Sequence, residues 1–177
     1  LFAMRDSLWT QRIDGGERRL VAAPDTARRH EAYGYPHLLP GGTDALIAIW
    51  VGARVLDSIA GVLDVDHDAL GTLALEAEPG AGGLVLKPYF EGERTPNLPD
   101  ATASLLGMTL ASTTRANLAR AAIEGLLCGL ADGLDALRAV GVVADRILLI
   151  GGAAQNPAIP TISAQVFDVP VVVPRPG

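Results

Sequence analysis

Ile147-Leu148-Leu149-Ile150-Gly151-Gly152-Ala153-Ala154-Gln155-Asn156-Pro157 is the stretch on which the fold turns. Four aliphatic residues in a row read as a buried strand. The two glycines let the chain turn and let a ligand approach the backbone. Ala153 and Ala154 keep the surface low. The helix expected to follow, as far as about Phe167, would present free backbone N–H groups at its start, and a second strand is expected over Val169 to Val173. The carboxyl end of a strand beside a helix start is where open α/β sheets bind ligands. A nucleotide fits such a junction physically, and so does a plain tight turn. The segment is neither a Gly-x-Gly-x-x-Gly fingerprint nor a phosphate loop, since no Gly-Lys-Ser/Thr follows.

Upstream, Ser112-Thr113-Thr114 caps the longest helix, expected over about Arg115 to Val140. Leu118, Ala122, Leu126, Leu130, Leu134 and Leu137 form its apolar stripe, and Gly141 stops it. Arg120 and Glu124 stand four apart on one face and can pair. Before that helix lies Lys87-Pro88-Tyr89-Phe90-Glu91-Gly92-Glu93-Arg94-Thr95-Pro96-Asn97-Leu98-Pro99-Asp100, a charged loop stiffened by prolines, entered from a short strand at Leu84 to Leu86. Its density of charge, glycine and proline suits a positioned binding loop.

Thr43-Asp44 offers an N-cap for a helix running to about Leu63, with apolar residues at the spacing of a helix face. A second helix, about Asp66 to Ala77, follows the acidic turn Asp64-Val65-Asp66-His67-Asp68. That turn lacks the glycine and glutamate of a calcium loop and reads as negative charge at a helix N-terminus, with His67 at the surface. From Asp6 to about Gly42 the chain is punctuated by glycine and proline and reads as irregular loop. The pairs Arg18-Arg19 and Arg28-Arg29 are read there as solvated rather than phosphate-binding. The chain thus divides into residues 1–42, irregular, and residues 43–177, a structured α/β unit.

The 177 residues are 49% apolar and 19% charged, enough for one core, with a net charge of −6 and a pI near 4.9. An acidic chain without a basic run lacks what nucleic acid or an anionic membrane surface requires. No run reaches the roughly 18 apolar residues of a membrane span, and no signal peptide is evident. The single cysteine, Cys128, suits a reducing, cytoplasmic setting and reads as a core residue. The three histidines are scattered, and no zinc motif or serine-nucleophile motif is present.

Three segments, taken together, resemble the FGGY carbohydrate kinases, and among them the xylulokinases. Pro88-Tyr89-Phe90-Glu91-Gly92-Glu93-Arg94-Thr95-Pro96 is similar to the family's Pro-Tyr-x-x-Gly-Glu-Arg-Thr-Pro loop. Arg120-Ala121-Ala122-Ile123-Glu124-Gly125 is similar to its Arg-Ala-x-x-Glu-Gly helix, and Ile150-Gly151-Gly152-Ala153 with Asn156 to its adenosine motif. Order and spacing agree over about residues 52 to 175. The resemblance implies a partial actin-like ATPase (ribonuclease H-like) domain, a mixed sheet flanked by helices, taken from the C-terminal, ATP-binding half of such a kinase.

It further implies transfer of the γ-phosphate of Mg2+-bound ATP to a sugar hydroxyl, with D-xylulose as the leading substrate. Gluconate and other pentuloses are the alternatives within the family, and a homodimer is left open. Gly151, Gly152, Ala153 and Asn156 match the ATP-binding positions. Many xylulokinases carry a third glycine where this chain has Ala153. Glu93, Arg94, Arg120 and Glu124 match positions that support the cleft. The family's catalytic aspartate and its Gly-Thr-Ser-Gly phosphate loop would lie upstream of Leu1, so no catalytic residue and no metal ligand is named, and the chain is expected to be truncated at both ends and inactive alone. Two other classes fit less well: a non-catalytic actin-like remnant, and a sugar-responsive regulator, which would need a DNA-binding module.

Overall fold

The computed structural model describes residues 2–4, 7–10, 19–22, 37–38, 45–46, 52–93, 98–139, 141 and 143–174. Strands β1 (Phe2–Met4), β2 (Ser7–Thr10) and β3 (Arg19–Ala22) form an antiparallel sheet with Phe2 opposite Trp9 and Trp9 opposite Leu20. Short strands β4 (His37–Leu38) and β5 (Ala45–Leu46) pair next. These strands correct two expectations. The segment read as irregular loop contains paired strands, and the first helix does not start at Asp44. Ala45 and Leu46 are ladder residues, and helix α1 spans Gly52–Leu63. Periodicity alone could not separate a two-residue strand from the apolar run leading into the helix.

From α1 onward the expected elements follow in order, with one strand more, at Ser104–Leu106. Asp64 adopts the left-handed conformation that ends α1, and Arg115 donates to the Leu63 carbonyl at 2.8 Å, satisfying an orphan acceptor of the helix end. Asp66 caps α2 (His67–Glu76), accepting the Ala69 N–H at 2.8 Å. Strand β6 (Val85–Lys87) pairs antiparallel with β7 (Ser104–Leu106). Thr114 then caps α3 (Arg115–Ala139), accepting the Asn117 N–H at 3.1 Å. Strand β8 (Ile147–Leu148) and strand β9 (Val171–Val172), which flank α4 (Ala158–Phe167), are the parallel pair among the described residues.

Helix α3 is the spine. It packs on α1, α2, α4 and β6, and its Ala119, Ala121, Ala122, Ile123, Leu126, Leu127 and Leu134 are buried. The run of alanines lets the neighbouring helices come close. Val55, Leu56, Ala60 and Leu63 of α1, Leu70 and Ala74 of α2, Leu84 and Leu86 around β6, and Ile159, Ile162 and Phe167 of α4 complete one core. Gly125 is dictated by this packing, because a Cβ there would sit 2.3 Å from the Leu86 carbonyl oxygen.

Two burial expectations fail. Ile147 and Leu149 are half-buried and Leu148 and Ile150 exposed, since a two-stranded ladder cannot cover both faces of its strands. Cys128 is exposed rather than core. It shares its helical row with Glu124 and Asp132, four residues either side, which is a polar face. Partial desolvation, followed by those two carboxylates, raises the thiol pKa. Among the described residues no helix is long and apolar enough to cross a membrane.

Candidate functional site at the glycine turn

Beyond β8 the chain enters the glycine turn. Gly151 has φ +115°, a conformation that side chains rarely adopt, so the turn itself requires glycine there. Gly152 is different. Its backbone is helical (φ −60°), and among the described residues an added Cβ would meet no atom within 4 Å. Neither strain nor protein crowding accounts for a glycine at 152, whereas a ligand lying on the backbone would.

A single 3-10 turn, Ala153–Gln155, follows. Ala154, Gln155 and Asn156 donate their N–H groups to Gly151, Gly152 and Ala153. The Asn156 side-chain oxygen accepts the Ala158 N–H at 2.9 Å, and the Asn156 carbonyl accepts that of Ile159. The expectation of free N–H groups at the helix start is therefore corrected for these positions, because the turn consumes them internally. What the turn offers a ligand is its exposed, side-chain-poor surface at Gly151, Gly152 and Ala153.

That surface forms one wall of a cleft of about 390 Å3. Leu56 and Asp57 of α1, His67, Asp68, Leu70 and Gly71 of α2, and Ile123 of α3 make the other walls. The floor is apolar, and a polar rim carries Asp57, His67 and Asp68. The His67 Nε2 lies 2.7 Å from Asp57 Oδ1, tying α2 to α1. An apolar slot with few polar groups at its mouth suits the flat face of a nucleobase.

Of the residues expected to bind nucleotide, Gly152, Ala153 and Asn156 line this cleft, and Gly151 shapes the turn behind them. Asp57, His67, Asp68 and Gly71 also line it and were not foreseen. A signal existed for Gly71: glycine in a helix interior costs about 1 kcal/mol relative to alanine and so marks a close approach.

Arg120 and Glu124, expected to support the cleft as a pair, are paired and do not line it. Arg120, only 2% exposed, donates to Glu124 at 2.6 Å and also to Gln165 of α4. Glu124 further accepts the Gly80 N–H at 3.0 Å. The Arg-Ala-x-x-Glu-Gly segment is thus a bracket: Arg120 joins α3 to α4, Glu124 holds the turn before β6, and Gly125 admits the strand. Glu93 exchanges both backbone hydrogen bonds with Leu98 across the proline loop. Arg54 of α1 holds that loop through Glu91 at 2.6 Å, and Lys87 lies 4.6 Å over the Tyr89 ring. Arg94 lies outside the described residues. Among the described residues, no group of three or more His, Cys, Asp or Glu side chains could hold a metal ion, so no ligand is assigned to Mg2+.

Residues 21–177 match the family of the description "FGGY family of carbohydrate kinases, C-terminal domain". The chain is 40% identical over 111 residues to a xylulose kinase of Haemophilus influenzae, covering 63% of this chain and 22% of that protein. It is 32% identical over 175 residues to a gluconokinase of Bacillus licheniformis, covering 91% of this chain and 34% of that protein. The crystal structure of xylulose kinase from Bifidobacterium adolescentis superposes with a TM-score of 0.66 at 51% identity, over 71% of this chain and 25% of that one. The chain thus spans between about a fifth and a third of the length of these curated relatives. Its helices and small sheets form part of the actin-like ATPase fold of these kinases. The glycine turn, the bracketed helix and the family match lead to one assignment: this chain belongs to the FGGY family of carbohydrate kinases and carries its C-terminal domain.

Proposed function

We propose that this chain supplies the nucleotide side of an ATP-dependent sugar kinase, with D-xylulose as the sugar and D-xylulose 5-phosphate as the product. The observation that carries the nucleotide reading is Gly152, a glycine that neither its backbone angles nor its protein neighbours require, on the wall of an apolar cleft. In this reading the base enters the slot between the turn and α2, and the ribose and phosphates lie over Gly151, Gly152 and Ala153. When bound, ATP with its Mg2+ supplies the transferable phosphoryl group. This chain's own residues bind and orient the nucleoside, and positioning is a large part of what phosphoryl transfer asks of a protein. No proton-accepting residue is assigned on this chain.

D-xylulose is preferred because the similar proteins named xylulose kinase reach the higher identities, 40% and 51%. Gluconate is the second reading, favoured by the 91% coverage of the match to a gluconokinase.

The test is a thermal melt with and without Mg2+ and ATP, on the wild-type chain and on Gly152→Ala. Ligand that binds only the native state raises the melting temperature. The wild-type transition is expected to rise with ATP. The variant should melt at the wild-type temperature without ligand and gain less from ATP. A wild-type transition indifferent to ATP, or an undiminished gain in the variant, overturns the reading. For the sugar, ADP release with D-xylulose, other pentuloses and gluconate is compared in a kinase carrying this domain, and the highest kcat/KM identifies the substrate.

A further inference from the structure

The hairpin β6–β7 turns one face to the core, where Leu86 is buried and Leu105 packs, and leaves the other open. Val85 and Leu106 stand opposite each other in the ladder on the open face, each more than half exposed. The apolar run continues past the strand, where Met108 is more than half exposed and Leu110 wholly so. A lone exposed leucine is ordinary, but a cross-strand pair and the stretch leaving it, four large apolar side chains in all, form a patch. They expose on the order of 400 Å2 of apolar surface, the size of the largest patch on a typical monomer, and patches of that size are often functional.

The backbone under the patch is fixed. Gly107 is left-handed (φ +76°), and a Cβ there would collide with the Gly83 carbonyl oxygen, so the stretch stays beside the entry to β6. The Ser112 Oγ accepts the Thr109 N–H at 2.9 Å, and the Thr109 Oγ1 accepts the Ser112 N–H at 3.0 Å. The buried Ser112 hydroxyl donates to the Gly107 carbonyl at 3.0 Å, and Asn117 of α3 donates to the Ser112 carbonyl at 2.9 Å. Leu110 is thus carried outward between two residues that are bonded to each other. Little backbone freedom is left to lose when this turn meets a partner.

We propose that this face is the contact surface between two copies of the chain, with Leu110 and the Val85–Leu106 pair at its centre. The sequence carries no charge from Ala101 to Thr114, in a chain that is 19% charged with a net charge of −6. Two acidic copies can meet there without bringing carboxylates of that run together, whereas a partner selected by charge would find nothing on it to pair with. An isologous contact sets one patch against itself, so an apolar, uncharged face is its own complement. Each partner of a standard interface gives about 800 Å2, somewhat more than half of it apolar, so roughly 500 Å2 of apolar surface is needed per copy. The patch supplies most of that. It uses none of the residues that line the nucleotide cleft, and it stands or falls independently of the nucleotide reading.

The experiment is sedimentation velocity on the full chain across micromolar concentrations. The wild type should show a concentration-dependent monomer–dimer equilibrium. Met108→Glu and Leu110→Glu should each raise the dimer Kd at least tenfold while keeping the far-UV circular dichroism of the wild type, since both side chains lie outside the core. Val143→Glu, at an exposed apolar position outside the hairpin, should leave the Kd unchanged. A monomer at every concentration would overturn the proposal. So would a dimer indifferent to both hairpin variants, or one weakened as much by Val143→Glu. The same series in a kinase carrying this domain separates a second copy from cover within one polypeptide. A dimeric kinase made monomeric by Leu110→Glu supports the contact between copies. A monomeric kinase whose melting temperature falls with Leu110→Glu would mean that its own chain covers the face, and would overturn the proposal.

Discussion

Glu124→Ala and Arg120→Met remove opposite halves of one ion pair, and the structure predicts very different costs. The Arg120 side chain is 2% exposed and Glu124 15% exposed. Without Glu124, the guanidinium stays buried and, among the described residues, keeps the neutral Gln165 oxygen as its partner. Removing one partner of a buried pair costs about 3–5 kcal/mol, because the remaining charge is uncompensated. Without Arg120, the carboxylate keeps the Gly80 N–H and a path to water, while methionine replaces the arginine stem in the core. That change should cost about 0–2 kcal/mol. For a chain of this size each kcal/mol moves the midpoint by about 2–4 °C. Glu124→Ala should therefore melt roughly 6–20 °C below the wild type, and Arg120→Met within a few degrees of it. The double variant should resemble Arg120→Met, since no charge is left stranded. Urea unfolding followed by far-UV circular dichroism measures all three. Equal costs for the two single variants, or a Glu124→Ala cost under about 1 kcal/mol, would refute the buried-charge reasoning.

Gly125→Ala tests the approach of β6 to α3: the 2.3 Å contact with the Leu86 carbonyl should outweigh the gain in helix propensity and destabilise by about 1–3 kcal/mol in a thermal melt. A stabilised variant would mean that the strand can move away freely. For Cys128 the sign follows from its raised pKa, which lowers the thiolate fraction at neutral pH. Alkylation by iodoacetamide should run more slowly than for a free cysteine at pH 7–8, quicken as the pH rises, and reach the free rate in denaturant; a free rate in the native chain would contradict the assigned environment.

Much of the fold was legible because its signals are local. The stripe of α3, the acidic start of α2 and the Thr114 cap each follow from residues within a turn or two of one another. Local signals failed where the outcome depended on a distant partner. Ala45 and Leu46 became a strand because His37 and Leu38 pair with them. Ile147 to Ile150 have a core composition yet are only partly covered, and no residue within the strand reports how many strands flank it. Cys128 was a different miss, since its row with Glu124 and Asp132 was readable from helical spacing and was outweighed by the apolar run around it.

The candidate site divides along the same line. The sequence alone determined the strand, the glycine turn and the helix, since a positive φ at Gly151 and low side chains at 152 and 153 are properties of those residues themselves. It also marked Arg120 and Glu124 as a pair, because four residues is one helical turn. Only the tertiary structure decided that α4, through Gln165, is what the pair braces α3 against. Only it decided that α2 supplies the opposite wall, through a glycine whose missing side chain is filled by Asn156. The physical reason is that backbone angles and helical rows are set within a few residues. The depth of a cleft is set by how closely two helices distant in sequence can approach, and that depends on volumes that meet only after folding.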